Sequence, residues 1–510
     1  MATRTRTNSD SSAKSQNDQH DVADVPDEPL TDEVIEYDPG SGLLGLENVQ
    51  MYNKGGHHPV HLDDIIDGRF QVYHKLGNGG FGIVWFCRDL TLGKWRAVKI
   101  MAANYSSETE EKIYNRLLDR HTREYLEENH IMIPLERFWL EGPNGRHRCF
   151  VMPVCGWPVS DWRLSQRDYK PETDPNVRDT CRQIVQSLFF LHSHGICHGD
   201  FTPRNILMKI EGLDDLDEEE ILDMMEEAHC YTVKTESGRP PGPRAPEYSV
   251  QPVDSYWCRS LSTKSIAVID LGQSYFMESP PRSTGIPSLY APPEILFDGT
   301  GTPGPYSDIW SLACTLFEVR TGTQLFASIT GGGIGIPVLQ IESYLGPLPN
   351  IYNHAFCEML RKIPRASISP RQQSESSESD QKQNLEPEPE QQPESESEWE
   401  QEEGYESEME DQHTDKFEKV LGIEMRVLRK LQRPEDVPAD QQSSEFISWR
   451  YSQEEVADFA DLLRKMLRYN PAKRIDIGAV ASHPWNINGN SKSNIHPGNS
   501  SLLLQLFFKF

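Results

Sequence analysis

The chain has 510 residues, enough for two lobes with sizeable cores plus segments that need not fold. Its 79 acidic residues against 50 Lys and Arg leave a formal net charge of −29, a balance that a nucleic-acid phosphate backbone would repel. No run of 18 apolar residues occurs, the first residues lack a signal-peptide apolar region, and the nine cysteines show no paired metal spacing; a reduced protein that does not span a membrane is expected. Cys87, Cys149, Cys155, Cys197 and Cys314 sit in apolar contexts and read as packed thiols.

In chain order, residues 1–45 are polar and predict a disordered tail, in which Arg4 and Arg6 are too few for a nuclear-import signal. A lead-in segment, 46–68, follows. Phe70–Leu76 and Ile83–Cys87 read as two strands joined by Gly77-Asn78-Gly79-Gly80-Phe81-Gly82. The glycines therefore cap a hairpin, whereas a dinucleotide site needs strand, loop and helix. Without side chains at Gly77, Gly79 and Gly82 the backbone can close over phosphates, and Lys99, in Ala97-Val98-Lys99, adds a point charge from the next strand. An acid from the helical stretch 106–118 is needed to hold that lysine. Glu111 best matches the spacing to Leu118, with Glu110 second and Glu108 third.

Apolar periodicity predicts helices over 176–194, 307–321 and 454–468. After the first of these comes His198-Gly199-Asp200-Phe201-Thr202-Pro203-Arg204-Asn205, and Ile266–Ile269 reads as a buried strand delivering Asp270, in Asp270-Leu271-Gly272, at its tip. Taken alone these are polar residues of a kind common in turns. Together they read as a phosphoryl-transfer site: a carboxylate to orient the attacking hydroxyl, and an Asn and a second Asp whose oxygens hold magnesium against phosphates. Asp200 and Asn205 lie five apart, so one loop can present the base and the metal ligand on different sides. Late in the chain, residues 374–412 hold sixteen Asp or Glu against one Lys, about half of the net charge. That Ser-, Glu-, Gln- and Pro-rich stretch reads as disordered, either a solvated tether or an arm competing for basic partners.

These motifs, in this order, resemble the eukaryotic protein kinases over roughly residues 69–485. Tyr290-Ala291-Pro292-Pro293-Glu294 is similar to the family's A-P-E segment, with Pro292 in place of Ala. Asp308, in Asp308-Ile309-Trp310-Ser311, resembles the aspartate that supports the catalytic loop, and Arg474 the late arginine that pairs with the A-P-E glutamate, here Glu294. A narrower resemblance, to the SR-protein kinases, is carried by Tyr52–Val60, Leu271, the stretch Gly142–His147, and two insertions at about 211–262 and 360–445.

The resemblance implies an α+β bilobal fold, with a small antiparallel β lobe containing one helix (69–155), a larger helical lobe (156–485) and a C-terminal tail (486–510). It implies ATP and Mg2+ as cofactors, with Lys99, Asp200, Asn205 and Asp270 catalytic and the last two binding the metal. The nucleotide site implied comprises Leu76, Gly77, Asn78, Gly79, Gly80, Phe81, Gly82, Val84, Ala97, Lys99, Glu111, Leu207, Met152 as gatekeeper, and a hinge from Pro153 through Cys155. Glu294, Asp308 and Arg474 are structural. A monomeric enzyme of the cytoplasm or nucleus is implied, acting on serine in basic Arg/Ser-rich proteins of mRNA processing.

Three departures from the family pattern stand out. Thr202 replaces a lysine that steadies the transferring phosphate, which implies slower chemistry, and Pro287 replaces the threonine that would bond that lysine. Gly199 stands where many kinases carry an arginine that grips a phosphorylated loop, which implies constitutive activity. Two other readings remain: a small-molecule phosphotransferase of the choline- and aminoglycoside-kinase kind, which shares the H-G-D-x-x-x-x-N loop but lacks the A-P-E pair, and a pseudokinase scaffold.

Overall fold

The computed structural model describes residues 34–38, 45–105, 108–166, 174–297, 301–326, most of 340–355, and 453–487. The acidic stretch 374–412 and the 360–445 insertion lie outside the described residues, as does the tail beyond Ile487.

The small lobe is a six-stranded antiparallel sheet of order β1-β2-β3-β4-β6-β5. Its strands are β1 (Ile65–Ile66), β2 (Phe70–Gly79), β3 (Gly82–Asp89), β4 (Lys94–Met101), β5 (Glu136–Gly142) and β6 (Gly145–Met152). Helices α1 (Glu108–Leu118) and α2 (Arg123–Glu128) follow β4. Ile113, Tyr114 and Leu117 of α1 pack with Phe150 of the sheet and continue into the core of the large lobe.

The opposite face of the sheet is covered as well. Trp85, Val98 and Val151 point into a second cluster completed by Tyr52 and Val60 from the lead-in and by Ala245 and Val250 from the 211–262 insertion. Burial on both faces is why Gly82–Asp89 reads as a nearly continuous apolar run and not as an alternating one. The two stretches that carried the narrower resemblance meet here: Asn144 donates to the carbonyls of His57 and Arg244 (2.7 Å each), and the His58 and His147 rings stand edge to face at 4.8 Å.

The insertion folds. After β9 (Ile206–Ile210), a helix α5 (Glu218–Met225) opens with a capping box built by Asp217 and Glu220. A hairpin of β10 (Cys230–Thr232) and β11 (Tyr248–Val250) follows. The Val253 amide donates to the Lys75 carbonyl (2.9 Å) and Asp214 accepts from the Trp95 amide (2.8 Å), which ties the insertion to the small-lobe sheet.

The expected tail boundary at residue 45 needs correction. Tyr37 is fully buried, bridges Thr235 of the insertion and donates to the Tyr52 carbonyl (3.1 Å). An aromatic side chain that finds such a slot stays folded whatever the polarity of its neighbours. Beneath it Lys75 and Glu47 form a fully buried ion pair, with the Tyr52 hydroxyl donating to the same carboxylate (2.7 Å).

In the large lobe the long helix α4 (Asp174–Ser193) packs against α7 (Pro305–Thr321) and α9 (Ile477–Ala481). The helix α3 (Val159–Ser165) precedes α4, the short α6 (Pro293–Leu296) precedes α7, and α8 (Gln453–Met466) and α10 (Pro484–Ile487) complete the described helices. Strands β7 (Cys155–Pro158), β9 and β12 (Ser262–Val268) form a small sheet of order β12-β9-β7, and β8 (Ile196–Cys197) pairs with β13 (Tyr275–Phe276). The three sequence-predicted helices appear within two residues of their expected ends. No helix of the described residues is long and apolar enough to cross a membrane.

Burial holds the His57, His58 and His130 imidazoles neutral, pulling each from 6.5 to about 4. Between those values the unfolded chain binds protons that the folded chain refuses. Their contribution is therefore complete above pH 6.5 and is lost as pH falls toward 4. The urea midpoint should be lower at pH 5 than at pH 7, and equal midpoints would contradict the neutral assignment.

Candidate active site

Three pieces of backbone converge on the cleft between the lobes. From above comes the β2–β3 hairpin, whose register closes tightly at Gly79 opposite Gly82. A Cβ added at Gly82 would stand 2.6 Å from the Ile100 carbonyl oxygen, so packing requires that glycine. At Gly77, Gly79 and Gly80 an added Cβ would meet nothing within 4 Å. Those three glycines leave open space that the chain itself does not use, which fits a cradle for phosphates.

Lys99 lies on β4 opposite Val84 of β3, and Ala97 pairs with Met152, the last residue of β6 before Pro153 and the β7 turn at Cys155. Leu207 on β9 pairs with Ala267, placing it on the floor beneath that hinge. Leu76 is partly buried against a cluster of Phe86, Trp95, Val154 and, from the insertion, Val253 and Trp257.

The Lys99 ammonium donates to Asp270 Oδ1 at 2.7 Å. Burial alone would lower the Lys99 pKa, but Asp270 and Glu110 outweigh it and raise the value above the ordinary range. Asp270 is the converse case: burial pushes its carboxyl up, and Lys99, with help from His198 and the Gly272 amide, pulls it below the usual carboxylate range. Asp270 also holds φ +61°, a left-handed conformation that is uncommon for a non-glycine residue and concentrated at functional positions.

Glu110, not Glu111, is the acid of α1 that faces this pair. Glu110 is buried, its Oε1 accepts from the Tyr114 hydroxyl (2.8 Å), and its Oε2 is buried with no hydrogen-bond partner. Glu111 turns away and pairs with Arg148 at 2.5 Å. The reason is helical phase: Glu110 shares the inward face with Ile113, Tyr114 and Leu117, and Glu111 lies one residue round from it. Burial raises the Glu110 pKa, against the pull of Lys99.

The catalytic-loop candidates come from below. Asn205 donates through Nδ2 to Asp200 Oδ2 (2.8 Å) and to the Asp200 carbonyl (2.9 Å), while Asp200 Oδ1 is buried with no partner. Burial raises the Asp200 pKa, with His198 and Asn205 opposing. Asp308 of α7 anchors the loop by accepting from the amides of His198 (2.7 Å) and Gly199 (3.0 Å), with His192 Nε2 3.0 Å from the same carboxylate. Thr202 is buried just before the Pro203–Asn205 turn, where its carbonyl accepts from the Asn205 amide (3.0 Å), and it supplies no charge. Further out, Glu294 and Arg474 form a buried bidentate pair at 2.5 and 2.6 Å, and Arg474 also donates to the carbonyls of Arg468 and Tyr306.

Two features carried no sequence signal. The Tyr105 hydroxyl donates to the Gly272 carbonyl (2.7 Å) and accepts from Gln273 Nε2 (3.3 Å), while its ring lies 4.6 Å from Phe81 at the tip of the glycine hairpin. It joins that tip to the Asp270 turn. Gly199 holds φ +74°, and a Cβ there would stand 2.2 Å from the Gln273 carbonyl oxygen. No arginine fits this backbone. Gly199→Arg should therefore lower both the unfolding temperature and the turnover, and the strained positive φ adds about 1–2 kcal/mol to the clash. A variant matching the wild type in both measurements would show that the loop is not held as described.

The β-sheet lobe and the helical lobe that carry this constellation are consistent with the bilobal protein-kinase fold. A protein kinase domain model matches residues 70–221. Human SRSF protein kinase 3 is 33% identical over 177 residues, 33% of this chain and 31% of that one. The Physarum polycephalum serine/threonine-protein kinase SRPK is 27% identical over 342 residues, 64% of this chain and 75% of that one. A dual specificity protein kinase of Schizosaccharomyces pombe is 26% identical over 271 residues, 53% of this chain and 34% of that one. The matched stretch spans about a third of the length of the SRSF protein kinase 3 relatives.

Proposed function

We propose that the chain is an ATP-dependent Ser/Thr protein kinase that phosphorylates serine in basic, Arg/Ser-rich proteins. The observation that carries the reading is the pair of carboxylates set apart by their surroundings: Asp270 held ionised by Lys99, and Asp200 made more basic by burial. When bound, MgATP supplies the γ-phosphoryl group and the cation that neutralises its charge. Lys99 and the open glycine cradle suit the phosphates, and Asp270 and Asn205 are the oxygen donors suited to Mg2+. The unpartnered Asp200 Oδ1 is the atom suited to accept a hydroxyl hydrogen bond and orient the attack. Glu294 and Arg474 favour this reading over a small-molecule phosphotransferase, and the retention of Lys99, Asp200, Asn205 and Asp270 favours it over a scaffold.

The substrate class rests on the likeness to SRSF protein kinases and on charge. A net charge of −29 suits a basic partner, and exposed charges are screened over about 8–10 Å near physiological ionic strength. The KM for an Arg-Ser peptide should rise with salt, and a preference for acidic peptides would remove the substrate assignment. Because Gly199 has no side chain to grip a phosphate, activity belongs to the unphosphorylated segment from Asp270 to Glu294. A Ser283→Ala/Thr284→Ala double variant should retain most activity, and its collapse would show that another basic residue does the gripping.

A further inference from the structure

Away from the cleft, two histidines from different lobes meet. His121 follows α1, its amide donating to the Leu117 carbonyl (3.0 Å), and His194 follows α4. Their Nε2 atoms stand 2.7 Å apart, with the rings at 81°. A third contact fixes the protons. His194 Nδ1 lies 2.7 Å from the Phe190 carbonyl oxygen, which can only accept, so Nδ1 carries the hydrogen and Nε2 presents a lone pair. His121 Nε2 then donates to it.

An imidazole anchored to a backbone carbonyl through one nitrogen, with the other nitrogen bare, is the arrangement in which histidines serve as metal ligands. Tyr125 stacks on His121, and Phe190 packs against both rings, which holds their orientation. Both residues are only half-buried, which leaves a path for an ion.

We infer that His121 and His194 form a binding site for a divalent transition-metal ion of the zinc or nickel class, ligated through the two Nε2 atoms with water completing the shell. Imidazole nitrogen suits these ions. Zn–N bonds of about 2.0–2.1 Å in a tetrahedral shell separate two ligand nitrogens by about 3.3 Å, so the rings need to part by only about 0.6 Å. The exchange balances simply: the His121 proton passes through solvent from Nε2 to Nδ1, the ion exchanges two of its waters for the two Nε2 lone pairs, and nothing is oxidised or reduced. The Glu278 carboxylate beside Gly195 lends negative charge nearby, partly neutralised by Arg116, and Arg120 opposes the ion. A bound ion would tie the end of α1, the helix that carries Glu110, to the end of α4.

The test is calorimetric titration of the full-length chain with Zn2+ alone at pH 7.5, alongside 15N spectra of its imidazoles. One saturable ion should bind, the His121 and His194 ring nitrogens should shift together, and His121→Gln and His194→Gln should each weaken binding by at least about tenfold. Absence of saturable binding, affinity unchanged in both variants, or unmoved His121 and His194 resonances would overturn the site and leave a plain hydrogen bond. If either variant fails to fold, the imidazole spectra of the wild-type protein decide alone.

Discussion

Asp200→Asn should leave nucleotide binding close to that of the wild type and lower turnover by about 10²–10⁴-fold, the usual worth of a positioned base. The substitution keeps size and shape, so the Asn205 contact and the Asp308 anchors of the loop are left in place. What disappears is the negative charge that burial has made more basic. Asp270→Ala should behave differently, because it removes the partner of Lys99 and an oxygen suited to magnesium together, and magnesium-dependent nucleotide binding should go with it. Separate measurement of turnover and nucleotide affinity distinguishes the two roles; equal turnover for Asp200→Asn and the wild type would remove Asp200 from the reaction.

Glu294→Gln should destabilise the large lobe by about 3–5 kcal/mol, the range for removing one member of a buried ion pair. The cost comes less from the lost attraction than from what remains. The Arg474 side chain is fully buried, and its charge would be left against a neutral amide under the Trp310 ring. Its bonds to the carbonyls of Tyr306 and Arg468 offset only part of that. Replacing both residues by apolar ones of similar volume should cost less than the single change. Urea unfolding of the single and double variants checks both statements, and a Glu294→Gln cost below about 1 kcal/mol would contradict the buried-pair account.

The parts of the site legible in the sequence are those fixed by short spacing. The glycine hairpin, the Asp200–Asn205 loop and the strand ending at Asp270 each lie within a few residues, so local geometry alone brings their groups together. Asp308 and the Glu294–Arg474 pair are separated by long stretches of chain, and family resemblance, not residue chemistry, is what points to them. Spacing to Leu118 points to Glu111, whereas the buried face of α1 is the one that Glu110 shares with Ile113, Tyr114 and Leu117. Composition was equally misleading around Tyr37, where polar neighbours masked one aromatic anchor. The folding of 211–262 onto the small lobe depends on tertiary contacts such as Val253 to Lys75, which leave no periodic trace in the sequence. Tyr105 and the φ of Gly199 were hidden for the same reason: each is defined by a neighbour about 75 to 170 positions away.

The most direct measurement is phosphoryl transfer from labelled ATP to a panel of Arg-Ser, acidic and proline-directed peptides, with Asp200→Asn run in parallel. Mg2+-dependent labelling of serine is expected, strongest on the Arg-Ser peptide and lost in the variant. Labelling absent from every peptide, or undiminished in Asp200→Asn, would contradict it.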